Sequence, residues 1–475
     1  MRFILLSALV VNVLTTGAQS LCENGFAGEY PCNNVDLQSV FTLAEVGGGD
    51  NGNDCWGWVA DGREFAIYGR SNGTAFIEIT NPVNPVYLGN LATHTVSSLW
   101  RDIKVFDNHA FIVSEAPDHG MQVFDLTRLL NVENPPVQFD ADAHYDAFGN
   151  AHNIAINETT GFAYAIGTNT FDGGLHIVDI NDPVNPVIAG DFAEDGYTHD
   201  VQVVIYNGPD TDYQGKEIAF AANEDFVTIV DVEDKLNCSM ISTITYDDVA
   251  YTHQGWLTED HRYFLVNDEL DEIQFLVPTR TYIFDVQDLD NPQLVGFYSG
   301  PVSATDHNLY VKGTLCYQAN YRSGLRIVNI EGAGENNLYE TGFFDTNPLN
   351  NIPGFNGAWS TYPYFPSGNV IISTFTHFFV VRPTEAVLNT TNLDEELNEF
   401  SIYPNPASDF AIIKSASPLH ASEVSITDLN GRSIRPDVLP SDNSNSVRIN
   451  TTSLESGLYM VRIKDSATTQ KLIIH

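Results

Sequence analysis

Basic residues are scarce in this chain. There are 21 Lys and Arg against 62 Asp and Glu in 475 residues, a formal charge of −41. That deficit argues against nucleic acid or an anionic membrane surface as partner. It leaves an acidic, solubilising surface or a set of calcium sites. Cysteine is also scarce: there are five, with no CxxC pair, which argues against a zinc–thiolate site. Beyond the first twenty residues no segment approaches the ~20 apolar residues of a membrane span, so no transmembrane segment is expected. Helix formers are sparse too, while Gly, Asn, Asp, Thr, Tyr and Phe abound, which favours strands joined by tight turns. The usual marks of catalysis are missing. There is no GxxxxGK phosphate loop and no GxGxxG after a strand. Gly69-Arg70-Ser71-Asn72-Gly73 has the spelling of a nucleophile elbow, but its turn joins two strand-like runs and not a strand to a helix. Paired carboxylates are too abundant to single out a glycosidase pair.

The chain begins MRFILLSALVVNVLTTGAQS. One Arg, an apolar core and the small residues Thr16-Gly17-Ala18 read as a secretory signal peptide over residues 1–20. Export to an oxidising compartment makes a small disulfide loop between Cys22 and Cys32 plausible. Cys55, Cys238 and Cys316 read as buried thiols.

A phrase then recurs. GTAFIEITNPVNPVYLGNL starts at Gly73 and GLHIVDINDPVNPVIAGDF at Gly174. Related copies start at Gly120, Phe226, Arg280 and Gly324, with a degraded copy near Phe379. The copies recur every 44 to 54 residues, and two further strand-like runs precede each one. A period of that length suits the four strands of a propeller blade. The expected fold is therefore all-β: a seven-bladed β-propeller over residues 21–383. The seventh unit lacks a fourth strand, and NVDLQSVFTLAEV near the N-terminus reads as the strand that closes the ring.

After Pro383 the text turns polar and acidic, a linker over 384–399. A small β-sandwich is expected over 400–475. Its elements Tyr403-Pro404-Asn405-Pro406, Asp428 to Arg432, Gly457-Leu458-Tyr459 and Lys471-Leu472 resemble the C-terminal sorting domain of type IX secretion. That resemblance implies passage through the periplasm of a Bacteroidetes-type cell, with the type IX machinery as partner. The chain would end extracellular or on the outer cell surface, and the tail would be removed.

The main body carries CENGFAGEYPCNNVDL, SLWRDIKVFDNHAFIVSEAPDHGMQVFDLTRL, GNAHNIAIN, YTHQGWLTEDHRYF and GAWSTYPYFPSG. In these stretches it resembles the choice-of-anchor B family with LVIVD-type repeats. The resemblance implies architecture and location and carries no biochemical activity.

Aligning the first strand of each unit reveals a further pattern. Four consecutive units open with His152-Asn153, His199-Asp200, His253-Gln254 and His307-Asn308. The unit before them opens with Arg101-Asp102, and the first and last carry Trp56 and Trp359. First strands line a propeller's channel, so these residues are expected at one mouth as a ligand site. His152, His199, His253 and His307 are the candidate metal ligands, with Asp or Asn beside them as orienting partners. The competing reading is hydrogen bonding from one blade to the next. A divalent ion is the cofactor to expect, a transition metal at the histidines or calcium at an acidic loop. The acidic candidates are Asp210-Thr211-Asp212 with Glu217, and Asn267-Asp268-Glu269 with Asp271-Glu272. Asp140, Asp142, His144 and Asp146 could line the channel mouth or be loop. Two functions remain open: a secreted or surface-anchored binding module, or a metal-dependent enzyme with its ion on the histidine ring.

Overall fold

The computed structural model describes residues 19–388 and, of the C-terminal segment, 400–403, 407, 410–415, 419–428, 432–434, 438–440, 445–452, 454, 456–464 and 470–474. Residues 1–18 of the expected signal peptide and 389–399 of the expected linker lie outside these, as do Pro404, Asn405 and Pro406. Two compact units are present, Met1–Val387 and Leu388–His475.

The first unit is all-β. Its described residues form seven sheets in sequence order, each built on four antiparallel strands, with Val137–Phe139 added parallel to Val86–Ala92 in the first. Six open with the strands Gly52–Ala60, Arg101–Phe106, Asn153–Asn157, Asp200–Ile205, Thr252–Leu257 and Asn308–Lys312. The seventh comprises Ala358–Tyr362, Val370–Thr374, His377–Pro383 and, from the other end of the chain, Val35–Thr42. Val35–Thr42 runs antiparallel to His377–Pro383, from Val35 opposite Pro383 to Thr42 opposite His377. Opening strands of successive sheets lie side by side, and Ala358–Tyr362 lies beside Gly52–Ala60.

The recurring phrase is the third and fourth strand of a sheet. Its opening glycine has a steric cause. A Cβ on Gly324 would stand 2.2 Å from the Phe344 carbonyl, and one on Gly120 2.3 Å from that of Tyr145. In each case the oxygen belongs to the neighbouring fourth strand, and both glycines have positive φ. Only a residue without a side chain lets the strands approach there. In five of the sheets the third and fourth strands share a bulge, at Phe76/Ile77, Ile177/Val178, Ile229/Val230, Ile283/Phe284 and Ile327/Val328. A bulge adds local twist, which lets each sheet turn steeply from its inner to its outer edge.

Between sheets the second and third strands bury near-continuous apolar runs. Ile218, Phe220, Val227 and Ile229 of the fourth sheet pack with Phe264, Val266, Tyr282 and Phe284 of the fifth. Each such side chain contributes about 1.5–3 kcal/mol by leaving water. Cys22 and Cys32 are disulfide-bonded. Cys22 precedes Phe26–Ala27 and Cys32 lies within Tyr30–Asn33, two strands that extend the sixth sheet.

The first unit runs past Pro383: Val387 is fully buried in its core. The described strands of the second unit form two four-stranded sheets. Their shared core includes Ile413, Ile426, Ile449, Val461 and Leu472. No helix among the described residues is long and apolar enough to cross a membrane.

Candidate functional site

Side chains two apart on a strand share a face. On the opening strands that rule puts Asp102 with Lys104, Asp200 with Gln202, Gln254 with Trp256, and Asn308 with Tyr310. All eight line one of two cavities on the channel side, while Ile103 and Leu309 between them are buried in the core.

The four histidines come together as a staircase. Ring centroids are 4.3 Å apart from His152 to His199, from His199 to His253 and from His253 to His307. The stair ends against Trp359, 5.0 Å from His307. His199 Nδ1 bonds the His253 carbonyl at 3.1 Å, and His307 Nδ1 bonds the Trp359 carbonyl. His253 Nδ1 turns to the His307 carbonyl without completing a bond, since Asn267 Nδ2 takes that oxygen. His199 and His307 thus each stitch their sheet to the next through an imidazole. His152 differs: its Nδ1 stands 2.6 Å from Glu115 Oε1. Burial holds His199 and His253 well below the usual histidine pKa, and His307 down to about 3. These three rings are neutral at ordinary pH.

The polar residues beside the histidines do similar work. Asp102 Oδ2 accepts from Ile154 N at 2.8 Å, and Gln254 Oε1 from Leu309 N at 2.6 Å. Asn153 Nδ2 donates to Asp200 Oδ2. Arg101 is buried and turns from the axis, bonding Arg70 O, Thr93 Oγ1 and His119 Nε2. Asn308 Oδ1 has no partner. A cavity of about 20 Å³ remains among Asp102, His152, His199, His253, His307 and Trp359. It has room for a water or an ion and nothing larger.

Deeper in, Lys104 places a cation in an acidic layer. Its Nζ lies 2.6 Å from Asp102 Oδ1, 3.5 Å from Asp54 Oδ2 and 4.7 Å from the centre of the Trp56 ring. Burial raises the pKa of Asp54, and Lys104 keeps Asp102 ionised. Burial also pushes Asp200 up to about 7, against the pull of Lys104.

Beyond this layer the channel widens to a chamber of about 480 Å³. Trp56, Trp256, Tyr310, Tyr362 and Tyr364 wall it, with Lys104, Glu158, Asp200, Gln202 and Gln254 as its polar groups. Asp200 and Gln254 therefore face this end, while the other expected site residues line the histidine end. Trp256 lies three positions past His253, about 10 Å along an extended strand. The repeated His drew attention to the mouth. The aromatic positions vary between units, and only the two-residue alternation from the polar position would have found them.

Two acidic expectations are corrected. Glu217 does not join Asp210 and Asp212 in a loop. It turns inward and accepts from Asn157, Thr160, Tyr164 and Lys235 at 2.8–2.9 Å. Asp210 instead meets Asp288 and Asp290 at the surface. The segment with Asp142 and His144 is no part of the channel mouth. Ala143–Tyr145 pairs with Met121–Asp125 as the outermost strand of the second sheet, and Asp142 binds Arg128 at 2.8 Å.

In the third acidic candidate, Asp268 is satisfied by Ala250 N, Tyr251 N and Tyr246 OH. Asp271 and Glu272 are buried at the start of a short helix, Asp271–Phe275. Glu269 turns away to the histidines. It brings a carboxylate within 3.9 Å of both His253 Nε2 and His307 Nε2. Among the described residues His253, Glu269 and His307 form one of two groups whose donor atoms lie within 4.8 Å of one another. Asp210, Asp288 and Asp290 form the other.

Residues 401–475 match the family described as the secretion system C-terminal sorting domain. The protein is therefore exported to the cell surface or the extracellular space, and its tail is the part handled by type IX secretion. No curated protein matches the chain. Among solved structures, the β-propeller domain of Myceliophteria thermophila Cps50 (Swd1) is similar at TM-score 0.45 and 12% identity, covering 71% of this chain and 98% of that one. PorZ, a surface component of the type IX secretion system of Porphyromonas gingivalis, is similar at TM-score 0.45 and 13% identity, covering 88% of this chain and 59% of that one.

Proposed function

We propose that the first unit is a seven-bladed propeller, closed by Val35–Thr42, of the choice-of-anchor B kind. On this reading it works outside the cell as a binding module that holds a small neutral ligand in its aromatic chamber. One observation carries the reading: the chamber of about 480 Å³, walled by five aromatic rings with a few convergent polar groups. That is the usual make-up of a small-molecule site. Lys104 already occupies the face of Trp56, so the cation–π place there is filled from within. A sugar ring fits the remainder. Its C–H faces stack on Trp256 and Tyr362, and its hydroxyls meet Gln202, Glu158 and Lys104. The missing nucleophile and cofactor motifs support binding over turnover.

Titration of the exported protein against a panel of bacterial and algal glycans, followed by tryptophan fluorescence, tests this. A saturable change with at least one glycan, lost in Trp256→Ala and kept in His152→Gln, is expected. No response across the panel, or a response that Trp256→Ala leaves intact, would overturn it.

A further inference from the structure

The histidine end of the channel is too small for such a ligand, and its chemistry is different. We propose that His253, Glu269 and His307 bind one divalent transition-metal ion of the zinc type. The site depends on neither the chamber nor its ligand.

The donor set is right for such an ion. Two imidazole nitrogens and one carboxylate make a familiar zinc triad, whereas calcium wants six to eight oxygens. The tautomers are arranged for it too. His307 gives its Nδ1 proton to the Trp359 carbonyl, and His253 Nδ1 faces that of His307. A proton on Nδ1 leaves the lone pair on Nε2, and metal-bound histidines commonly have their other nitrogen held in this way. In His307 the bond to the next sheet and metal binding therefore use opposite nitrogens of one ring and do not compete.

Both Nε2 atoms lie 3.9 Å from a Glu269 oxygen. Tetrahedral zinc with bonds of 2.0–2.1 Å would place its donors about 3.3 Å apart. The two distances run to different carboxylate oxygens, and one donor from each residue lies within 4.8 Å of the others, so closing on one ion takes between about half an ångström and one and a half of side-chain movement. Glu269 Oε1 is already held, accepting from Tyr321 OH at 2.8 Å. The fourth position has an occupant at hand, because the 20 Å³ cavity touches both histidines and takes one water.

Charge points the same way. His253 and His307 are 2% and 5% exposed. No Lys or Arg is paired with Glu269 among its described contacts. Nearby Asp306 and Glu272, 2% and 0% exposed, have carboxylate oxygens without any hydrogen-bond partner. His152 and His199 are outside the site because neither belongs to the group of donor atoms that lie within 4.8 Å of one another.

The experiment uses the full exported chain, stripped with a chelator and titrated with zinc chloride alone. One equivalent should bind and raise the melting temperature. Glu269→Gln keeps the shape and the Tyr321 contact and should weaken binding at least tenfold. Asp288→Asn and His152→Gln should bind as the parent does. Cobalt(II) in the parent protein should give the intense visible bands of a four-coordinate N/O site, which reads the site even if a variant folds poorly. The proposal falls if the parent takes up no zinc or if Glu269→Gln binds equally well. It falls also if Asp288→Asn abolishes uptake, or if cobalt shows only weak six-coordinate bands.

Discussion

His176 shows how a single buried side chain sets a pH response. Its ring is 1% exposed, bonds Tyr145 OH and Thr170 Oγ1 at 2.8 Å each, and packs on Phe148 and Phe171. No charge faces it in these contacts, and burial lowers its pKa to about 4. The unfolded chain takes up a proton near 6.5, the folded chain only near 4. Stability from this residue is therefore complete above pH 6.5 and drains away as pH falls toward 4. Asp200, pushed up to about 7, acts in the other direction. Its stability is complete below the ordinary carboxylate pKa and drains as pH rises through 7. Melting temperature measured against pH should fall less steeply between 6.5 and 4 in His176→Gln. It should fall less steeply between 4 and 7 in Asp200→Asn. A parallel displacement of the whole curve in either variant would refute the assignment. At this scale the sequence was half legible. The His followed by Asn, Asp or Gln in four units stood out because repetition marks shared geometry. Glu269 did not, because its role depends on turning away from Asp268, its neighbour in sequence, which caps local backbone instead.

At the scale of elements, the recurring phrase was readable because strand period, turn residues and opening glycine all answer one packing problem repeated in each sheet. The pairing of Val35–Thr42 with His377–Pro383 joins positions more than 300 residues apart. It was inferable from a deficit, a last unit one strand short and an N-terminal run one strand long. The acidic segments misled because, in so acidic a chain, carboxylates spaced like ligands arise often. Glu217 shows where such a group can go when four donors wait inside. If Val35–Thr42 supplies the seventh sheet's outer strand, its inward side chains should matter as core residues do. Phe41, 5% exposed among Phe378, Val380 and Tyr68, should cost about 3–5 kcal/mol when changed to Ala. Val187, 56% exposed on the outer strand Val187–Phe192 of the third sheet, should cost less than about 0.5 kcal/mol. Urea unfolding of the two variants distinguishes them, and equal losses would remove Val35–Thr42 from the cooperative unit.

The whole molecule divides its labour along the chain. The first unit carries both channel cavities, and the second carries the match to the sorting family. The sorting unit has its own core, in which Ile413, Val447, Ile449 and Val461 are buried among themselves. Deleting residues 400–475 should therefore leave a folded, glycan- and zinc-competent first unit that stays in the periplasm. The intact gene product should reach the cell exterior and, by mass, lack residues 1–20 and the tail after about residue 395. The net charge of −41 suits that destination, since like charge keeps an exposed protein soluble and apart from its copies. Cell fractionation with intact-mass measurement decides the matter. A tail-less variant found outside the cell would separate the sorting unit from export. An exported protein still ending at His475 would show that the tail remains after the journey, as an anchor in its own right.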